Sequence, residues 1–297
     1  MVSAPRRARA IAALALAAAA CAALAQTSPP AAPAPDPARA AYRAAMEGRK
    51  ADTLAAVQEL TARLPLERVL AAGGTGWELT PPYAALVRFG LWDELIALTA
   101  PDPRAAGLTA GYLYGRGVAL AARGRLPEAR AALADLVLLG AGAPAETGAA
   151  GGLHDLIAVA VPVVAARIAA TELRDADAIA ELERAAGAED RLPRGEGGGG
   201  WFFPVRHLLG AQLLIGGRAA DAERVYREDL ARHPGNGWAL YGLAAALRAA
   251  GREAAAAAGE REFSRAWKHA DVRLLSSAFW FAGPDSTSCE CQRQGAQ

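Results

Sequence analysis

The chain has 297 residues, of which 53% are hydrophobic but only 6% aromatic, because much of the apolar content is alanine. Alanine is the best helix former, whereas a sheet protein would be richer in valine, isoleucine and threonine, so the composition favours packed helices. The formal net charge is +1, and residues 1–25 contribute three arginines and no acid, which leaves −2 for the remainder. Such a near-neutral remainder lacks the basic surface that binding to nucleic acid requires.

Residues 1–25 have the three zones of a secretory signal peptide. An apolar stretch of alanine, leucine and isoleucine separates a basic start from the small residues of a cleavage site, Ala23 and Ala25. The basic start consists of Arg6, Arg7 and Arg9. We therefore expect cleavage after Ala25 and a periplasmic or secreted mature chain without a transmembrane segment.

Two alternatives for the leader stay open. The leader could remain as an uncleaved membrane anchor, although its apolar stretch is shorter than the roughly 20 residues that span a bilayer. It could also be processed as a lipoprotein at Cys21, although the leucine usual three residues before such a cysteine is absent. Cleavage after Ala25 fits the residues better than either alternative.

The mature chain divides into three predicted parts. Residues 26–37 form a linker rich in proline and alanine, because five prolines prevent both helix and sheet. Residues 38–281 form a helical repeat domain, and residues 282–297 form a flexible C-terminal tail. The tail contains Cys289 and Cys291, which we interpret as a strained disulfide or two idle thiols rather than as a metal site, because further ligands are missing.

Positions that recur at intervals of 34 residues, or somewhat more, indicate helical hairpins. Small or apolar residues follow a turn at positions 53, 95, 129, 178, 222 and 256, and two of the five intervals equal 34. In the clearest copy, Gly217 ends one helix, Ala222 allows the two helices to cross closely, and Pro234 stops the second helix. The pattern predicts an all-α fold, an α-solenoid of about six antiparallel helical hairpins.

The same residues resemble the tetratricopeptide repeat. The resemblance is carried by Leu209-Gly210, Leu213, Gly217, Ala222, Tyr226 and Pro234. Over most of its mature length the chain is also similar to a group of exported bacterial proteins of this repeat type, whose function is uncertain. That similarity rests on Arg88-Phe89-Gly90-x-Trp92-Asp93-Glu94-Leu95, on Pro204-Val205-Arg206-His207-x-Leu209-Gly210 and on Pro234-Gly235-Asn236-Gly237-Trp238-Ala239-Leu240.

The resemblance implies a superhelix whose concave face presents the first helix of each hairpin. We expect that face to bind a protein or peptide partner through aromatic and basic residues, the types enriched in binding hot spots. The candidate groove residues are Tyr114, His207, Trp238, Tyr241 and Arg248. The alternative, which the pattern slightly favours, is that Trp238 and Tyr241 pack against neighbouring helices.

Motifs for catalysis, cofactors or metals are not apparent in the sequence. The four histidines have no metal-ligand spacing, and no G-x-S-x-G motif is present. The four glycines at 197–200 are interpreted as a linker rather than a phosphate loop, because no Gly-Lys-Ser/Thr follows them. The related proteins usually have an acidic, proline-rich segment there, so a binding role for this loop is not implied.

These observations predict a non-catalytic interaction scaffold of the bacterial cell envelope that binds a partner on its concave face. Two alternatives are kept. One is a hydrolase-type enzyme built on a helical-repeat scaffold, with His154, Asp155 or His207 near its active site. The other is a lipid-anchored assembly factor of the envelope.

Overall fold

The computed structural model describes residues 36–143, 152–193 and 200–279. The chain divides into two units, Met1–Pro35 and Asp36–Gln297, and all described residues belong to the second unit. These residues contain α-helices and one short 3-10 turn, and no strand occurs among them. The prediction of an all-α fold is therefore confirmed. The predicted signal peptide with Cys21, most of the linker and the tail with Cys289 and Cys291 lie outside the described residues.

Thirteen α-helices occur in the described residues. They are α1 (Pro37–Met46), α2 (Lys50–Arg63), α3 (Leu66–Ala71), α4 (Pro81–Arg88), α5 (Trp92–Ala97), α6 (Ala106–Ala122), α7 (Leu126–Gly142), α8 (Leu153–Thr171), α9 (Asp175–Glu189), α10 (Arg206–Ile215), α11 (Ala219–Arg232), α12 (Gly237–Ala249) and α13 (Glu253–Ala266). The 3-10 turn is Trp77–Leu79. The short helix α3 and this turn lie between the first two predicted hairpins, which explains their wider spacing.

Twelve of these helices form six pairs, each joined by a tight turn with one residue in the left-handed region. Glycine provides that residue in five turns, at positions 48, 90, 124, 217 and 251, and Leu173 provides it in the turn between α8 and α9, with φ of 59°. In every pair the residue five positions after this left-handed residue is buried. These residues are Thr53, Leu95, Ala129, Ala178, Ala222 and Ala256. They are the marker positions predicted from the sequence.

The helices of successive pairs also contact one another. Helix α6 packs against both α4 and α8, and α10 packs against α12. Tyr226 on α11 shows why small residues are needed there, because its buried ring lies against both Gly210 and Gly242. A Cβ atom at Gly210 would lie 2.3 Å from the Tyr226 ring, and one at Gly242 would lie 2.2 Å from it. Tyr226 therefore fills the space between two pairs.

Helix α1 also contacts elements near the other end of the described chain. The indole Nε1 of Trp238 on α12 donates a hydrogen bond of 2.8 Å to the carbonyl oxygen of Ala45. The carboxylate of Asp271 accepts hydrogen bonds from the backbone N–H groups of Lys50 and Ala51, at 2.5 and 2.8 Å. Asp271 thereby caps α2, whose preceding residue Arg49 provides no side-chain cap. These long-range contacts join α1 to α12, and α2 to the segment after α13.

Candidate binding site

The structure places four of the five predicted groove residues inside the protein or at its edge. Tyr114, His207 and Trp238 are buried, and the exposed fraction of the latter two is 0%. Tyr241 is half-buried, and its ring packs edge-on against Phe263 with centroids 5.4 Å apart. Trp238 and Tyr241 belong to one apolar cluster. In this conformation Trp238 and Tyr241 pack against neighbouring elements of the protein, which is the alternative stated for them above.

Arg248 is separate from the other four residues. It lies near the end of α12, its side chain is about half exposed, and it forms ion pairs with Glu253 and Glu260 of the following helix. Its charge is therefore used to join α12 to α13. The structure does not bring Arg248 together with Tyr114 or His207 in one surface.

The first segment that covers the predicted face is residues 200–205. Trp201 is buried between two aromatic side chains, since its ring stacks on Trp77 at a centroid distance of 6.0 Å and packs edge-on against Tyr114 at 5.1 Å. The Nε1 of Trp77 donates a hydrogen bond of 3.0 Å to the carbonyl oxygen of Gly200, which fixes the start of the segment. Gly200 is the only residue of the four-glycine stretch among those described.

The second covering segment is residues 267–279. Trp267 and Phe279 pack edge-on against Trp238, with centroids 5.3 and 5.6 Å away. Ser277 is buried, donates a hydrogen bond of 2.9 Å to the carbonyl oxygen of His207, and lies 2.6 Å from the hydroxyl of Tyr226. Residues of the chain itself thus pack against His207 and Trp238, two of the residues predicted to line a groove. Sequence periodicity does not report such segments, because they are not part of the repeat.

His207 belongs to a buried polar cluster. Its Nε2 lies 3.2 Å from a carboxylate oxygen of Asp229, and the side-chain amide of Asn236 donates a hydrogen bond of 2.7 Å to the same oxygen. Burial lowers the pKa of His207 to about 4, although the nearby Asp229 carboxylate opposes this shift. The imidazole is therefore neutral at pH 7. Asn236 also caps α12 through the backbone N–H of Trp238, so the cluster fixes the start of that helix.

Arg88, at the end of α4, also lies in this region and was not among the predicted groove residues. Its side chain is 5% exposed, and its guanidinium carbon lies 3.5 Å from the Trp238 ring centroid and 5.3 Å from that of Phe203. A signal was present in the sequence. Pro81, Ala85 and Arg88 have the spacing of one helix face, so a charged residue occupies the buried face of α4.

Residues of the enzyme alternative do not form a catalytic arrangement within the described chain. His154 and Asp155 begin α8, and Nδ1 of His154 lies 3.4 Å from the carbonyl oxygen of Gly140. His207 and Asp229 lie near Ser277, but Ser277 bonds to the backbone carbonyl of His207 and not to its imidazole. A nucleophile must contact its base, and no such pair is formed by these residues.

His154 instead lines a shallow groove between α7, α8 and α9. Arg184, Arg191, Ile157 and Pro162 are among its other lining residues. In the part of the chain that the structure describes, no group of three or more His, Cys, Asp or Glu side chains is arranged to hold a metal ion. One described helix, α8, is long and apolar enough to cross a membrane, but 61% of its most apolar window is buried inside the protein. A buried core helix can be as long and as apolar as a helix that crosses a membrane.

The comparisons with known proteins do not identify a relative. No family model, no curated protein and no solved structure matches this chain.

Proposed function

We propose that this protein is an exported, non-catalytic scaffold of the bacterial cell envelope that binds a protein partner. We further propose that its six helix pairs stack as an α-solenoid of the tetratricopeptide type, with the first helices on the inner side. The contacts of α6 with α4 and α8, and of α10 with α12, support this stacking, because first helices of successive pairs touch in such a solenoid.

One observation supports partner binding more than any other. A non-helical segment, residues 272–279, follows α13 after a short turn and lies against His207 of α10 and Trp238 of α12. Leu274, Ser277 and Ala278 of this segment are buried, whereas Leu275 is 63% exposed. A face that accommodates small and apolar side chains in this way fits a partner segment of the same chemistry. In this proposal the partner exchanges with residues 272–279.

A pair of adjacent leucines provides the test. Leu274→Asp places a charge at a buried apolar position and should release the segment, whereas Leu275→Asp places the same charge at an exposed position next to it. We expect the Leu274→Asp chain to capture a partner from envelope extract several times more strongly than the natural chain, and the Leu275→Asp chain to behave like the natural one. Mass spectrometry identifies the partner, and thermal melting checks that both variants are folded.

Equal capture by both variants, with both folded, would exclude exchange with this segment. Capture by no variant would argue against the scaffold proposal itself. Turnover of a substrate that is lost in a folded His154→Ala variant would favour the hydrolase alternative instead. Export is tested separately, because N-terminal sequencing of protein from its native host should begin at Gln26. A lipid-modified Cys21 at that terminus would support the anchored alternative.

A further inference from the structure

The buried guanidinium of Arg88 lacks acceptors for part of its hydrogen-bonding capacity. Within the described residues, its Nε and Nη2 atoms have no hydrogen-bond partner. Burial lowers the pKa of Arg88 to about 9, so the group is still a cation at neutral pH. Buried N–H groups of a charged side chain are rarely left without an acceptor, because the unmade bonds are costly. An acceptor is therefore expected beside Arg88.

The neighbouring protein groups do not supply that acceptor. Asp229, Tyr42 and Tyr114 are close enough to act on Arg88 electrostatically. Oδ2 of Asp229 is engaged with His207 and Asn236. Oδ1 of Asp229 is also buried and has no hydrogen-bond partner among the described residues, so it makes no hydrogen bond to the guanidinium. The two aromatic rings next to the guanidinium, those of Trp238 and Phe203, offer only their faces. Asp229 thus reduces the net charge of the region without satisfying the Arg88 N–H groups.

A cavity of about 30 Å³ adjoins the Arg88 side chain. Its lining includes Arg88, Trp92, Tyr114, Trp201, Ala278 and Phe279. Apart from Arg88, the polar lining side chains are two indoles and one phenol, and no carboxylate is among them. A buried water usually makes about three hydrogen bonds and needs acceptors for its own hydrogens. An acceptor-only ligand suits a lining rich in donors better.

We propose that this cavity binds a small monovalent anion, of the size of chloride or formate, through the unpartnered N–H groups of Arg88. The anion supplies both the missing acceptor and a negative charge next to the guanidinium. A volume of about 30 Å³, lined in part by Ala278 and Phe279, suits a small anion better than a larger carboxylate. The site is distinct from the proposed exchange of residues 272–279, because it exists in the conformation in which that segment is bound.

Formate and gluconate distinguish a specific site from a general effect of salt. Gluconate is too large for the cavity and serves as the inert anion. In the experiment, sodium formate replaces sodium gluconate stepwise at constant ionic strength and pH 7, and thermal melting of the natural chain is measured at each step. At formate ten times above its Kd the folded-to-unfolded ratio should rise about elevenfold, which corresponds to a melting shift on the order of 3 °C. A melting temperature that does not saturate with formate, or does not change, would overturn the proposal.

Two variants assign the effect to the cavity. Arg88→Gln should lose the formate response, whereas Arg248→Gln, which changes an exposed arginine, should keep it. Phe279→Ala enlarges the cavity and should extend the response to acetate, which the natural chain should not show. If Arg88→Gln does not fold, crystals of the natural chain grown in bromide decide the question. An anomalous peak within hydrogen-bond distance of Arg88 supports the site, and a water or an empty cavity there contradicts it.

Discussion

The guanidinium carbon of Arg88 lies 3.5 Å from the ring centroid of Trp238, so a buried cation rests on the face of a buried indole. The same indole donates a hydrogen bond to the carbonyl oxygen of Ala45 and packs against Trp267 and Phe279. Trp238 therefore joins α12 to α1, to α4 and to the segment after α13. In this conformation its contribution is to stability.

Trp238→Ala should lower the free energy of unfolding by about 3–5 kcal/mol, because a large side chain is lost from a fully buried position and a hydrogen bond is lost with it. Tyr241→Ala is the matched control, since Tyr241 is half-buried on the same helix and should cost less. Urea denaturation measures both changes. A cost below about 1 kcal/mol for Trp238→Ala would contradict the packing described for this residue.

Leu173→Gly should stabilise the protein by about 1 kcal/mol. Leu173 has φ of 59° and is 87% exposed, so its side chain adds left-handed strain and contributes little burial. Glycine adopts this conformation without the steric penalty. The measurement is the midpoint of urea unfolding, and a midpoint that falls would show that Leu173 makes contacts that outweigh the strain.

The reverse substitution at the equivalent turn provides the control. Gly217 has φ of 71°, and a Cβ atom added there would meet no atom within 4 Å. Gly217→Ala should therefore destabilise the protein by about 1 kcal/mol through backbone strain alone. If both substitutions at 173 and 217 change stability in the same direction, the equivalence of the two turns is wrong.

Stability should fall as the pH is lowered from about 6.5 to 4, in part because of His207. Burial lowers the pKa of His207 to about 4 in the folded protein, whereas the unfolded chain binds the proton near 6.5. Over this range the unfolded state binds more protons, so acid favours unfolding, by up to about 3 kcal/mol for this group. Urea unfolding at several pH values should give a steeper decline for the natural chain than for His207→Gln. If the free energy of unfolding falls equally with pH in both proteins, His207 is not the group responsible.

Asp271→Ala should detach the end of the described chain from α2. The Asp271 carboxylate accepts hydrogen bonds from two backbone N–H groups at the start of α2, and losing such a cap costs about 0.5–2 kcal/mol. Trypsin cleavage after the exposed Arg273 should become faster. Asp36→Ala removes the local cap of α1 and should leave this cleavage rate unchanged. An unchanged cleavage rate in Asp271→Ala would show that this cap does not hold the segment in place.

The helix pairs could be predicted from the sequence because the information is local. A glycine lies in the turn of five of the six pairs, and a small or apolar residue follows five positions later in each pair. These features determine where helices end and cross. The turn at Leu173 was inferred through its marker Ala178, although the glycine is missing there. The short helix α3 was not predicted, because it falls outside the repeat pattern.

The interior site could not be predicted in the same way, because it depends on residues far apart in the chain. Trp201 and Phe279 lie in non-repeating segments, and no periodicity indicates which helices they cover. The aromatic residues on the first helices suggested an open groove, but the chain supplies its own covering segments. Arg88 was detectable only as a charge on a buried helix face, and its aromatic neighbours come from positions beyond 200.

The hydrogen bond between Trp238 and Ala45 joins residues that are 193 positions apart. At a synthesis rate of about 5–20 residues per second, the carbonyl of Ala45 is made roughly 10–40 s before its donor. Helix α1 can pair with α2 soon after synthesis but lacks its contact with Trp238 for that long, and helices of 10 residues are marginal alone in water. The N-terminal helix of the described chain is thus the first to be made and among the last to reach its final contacts.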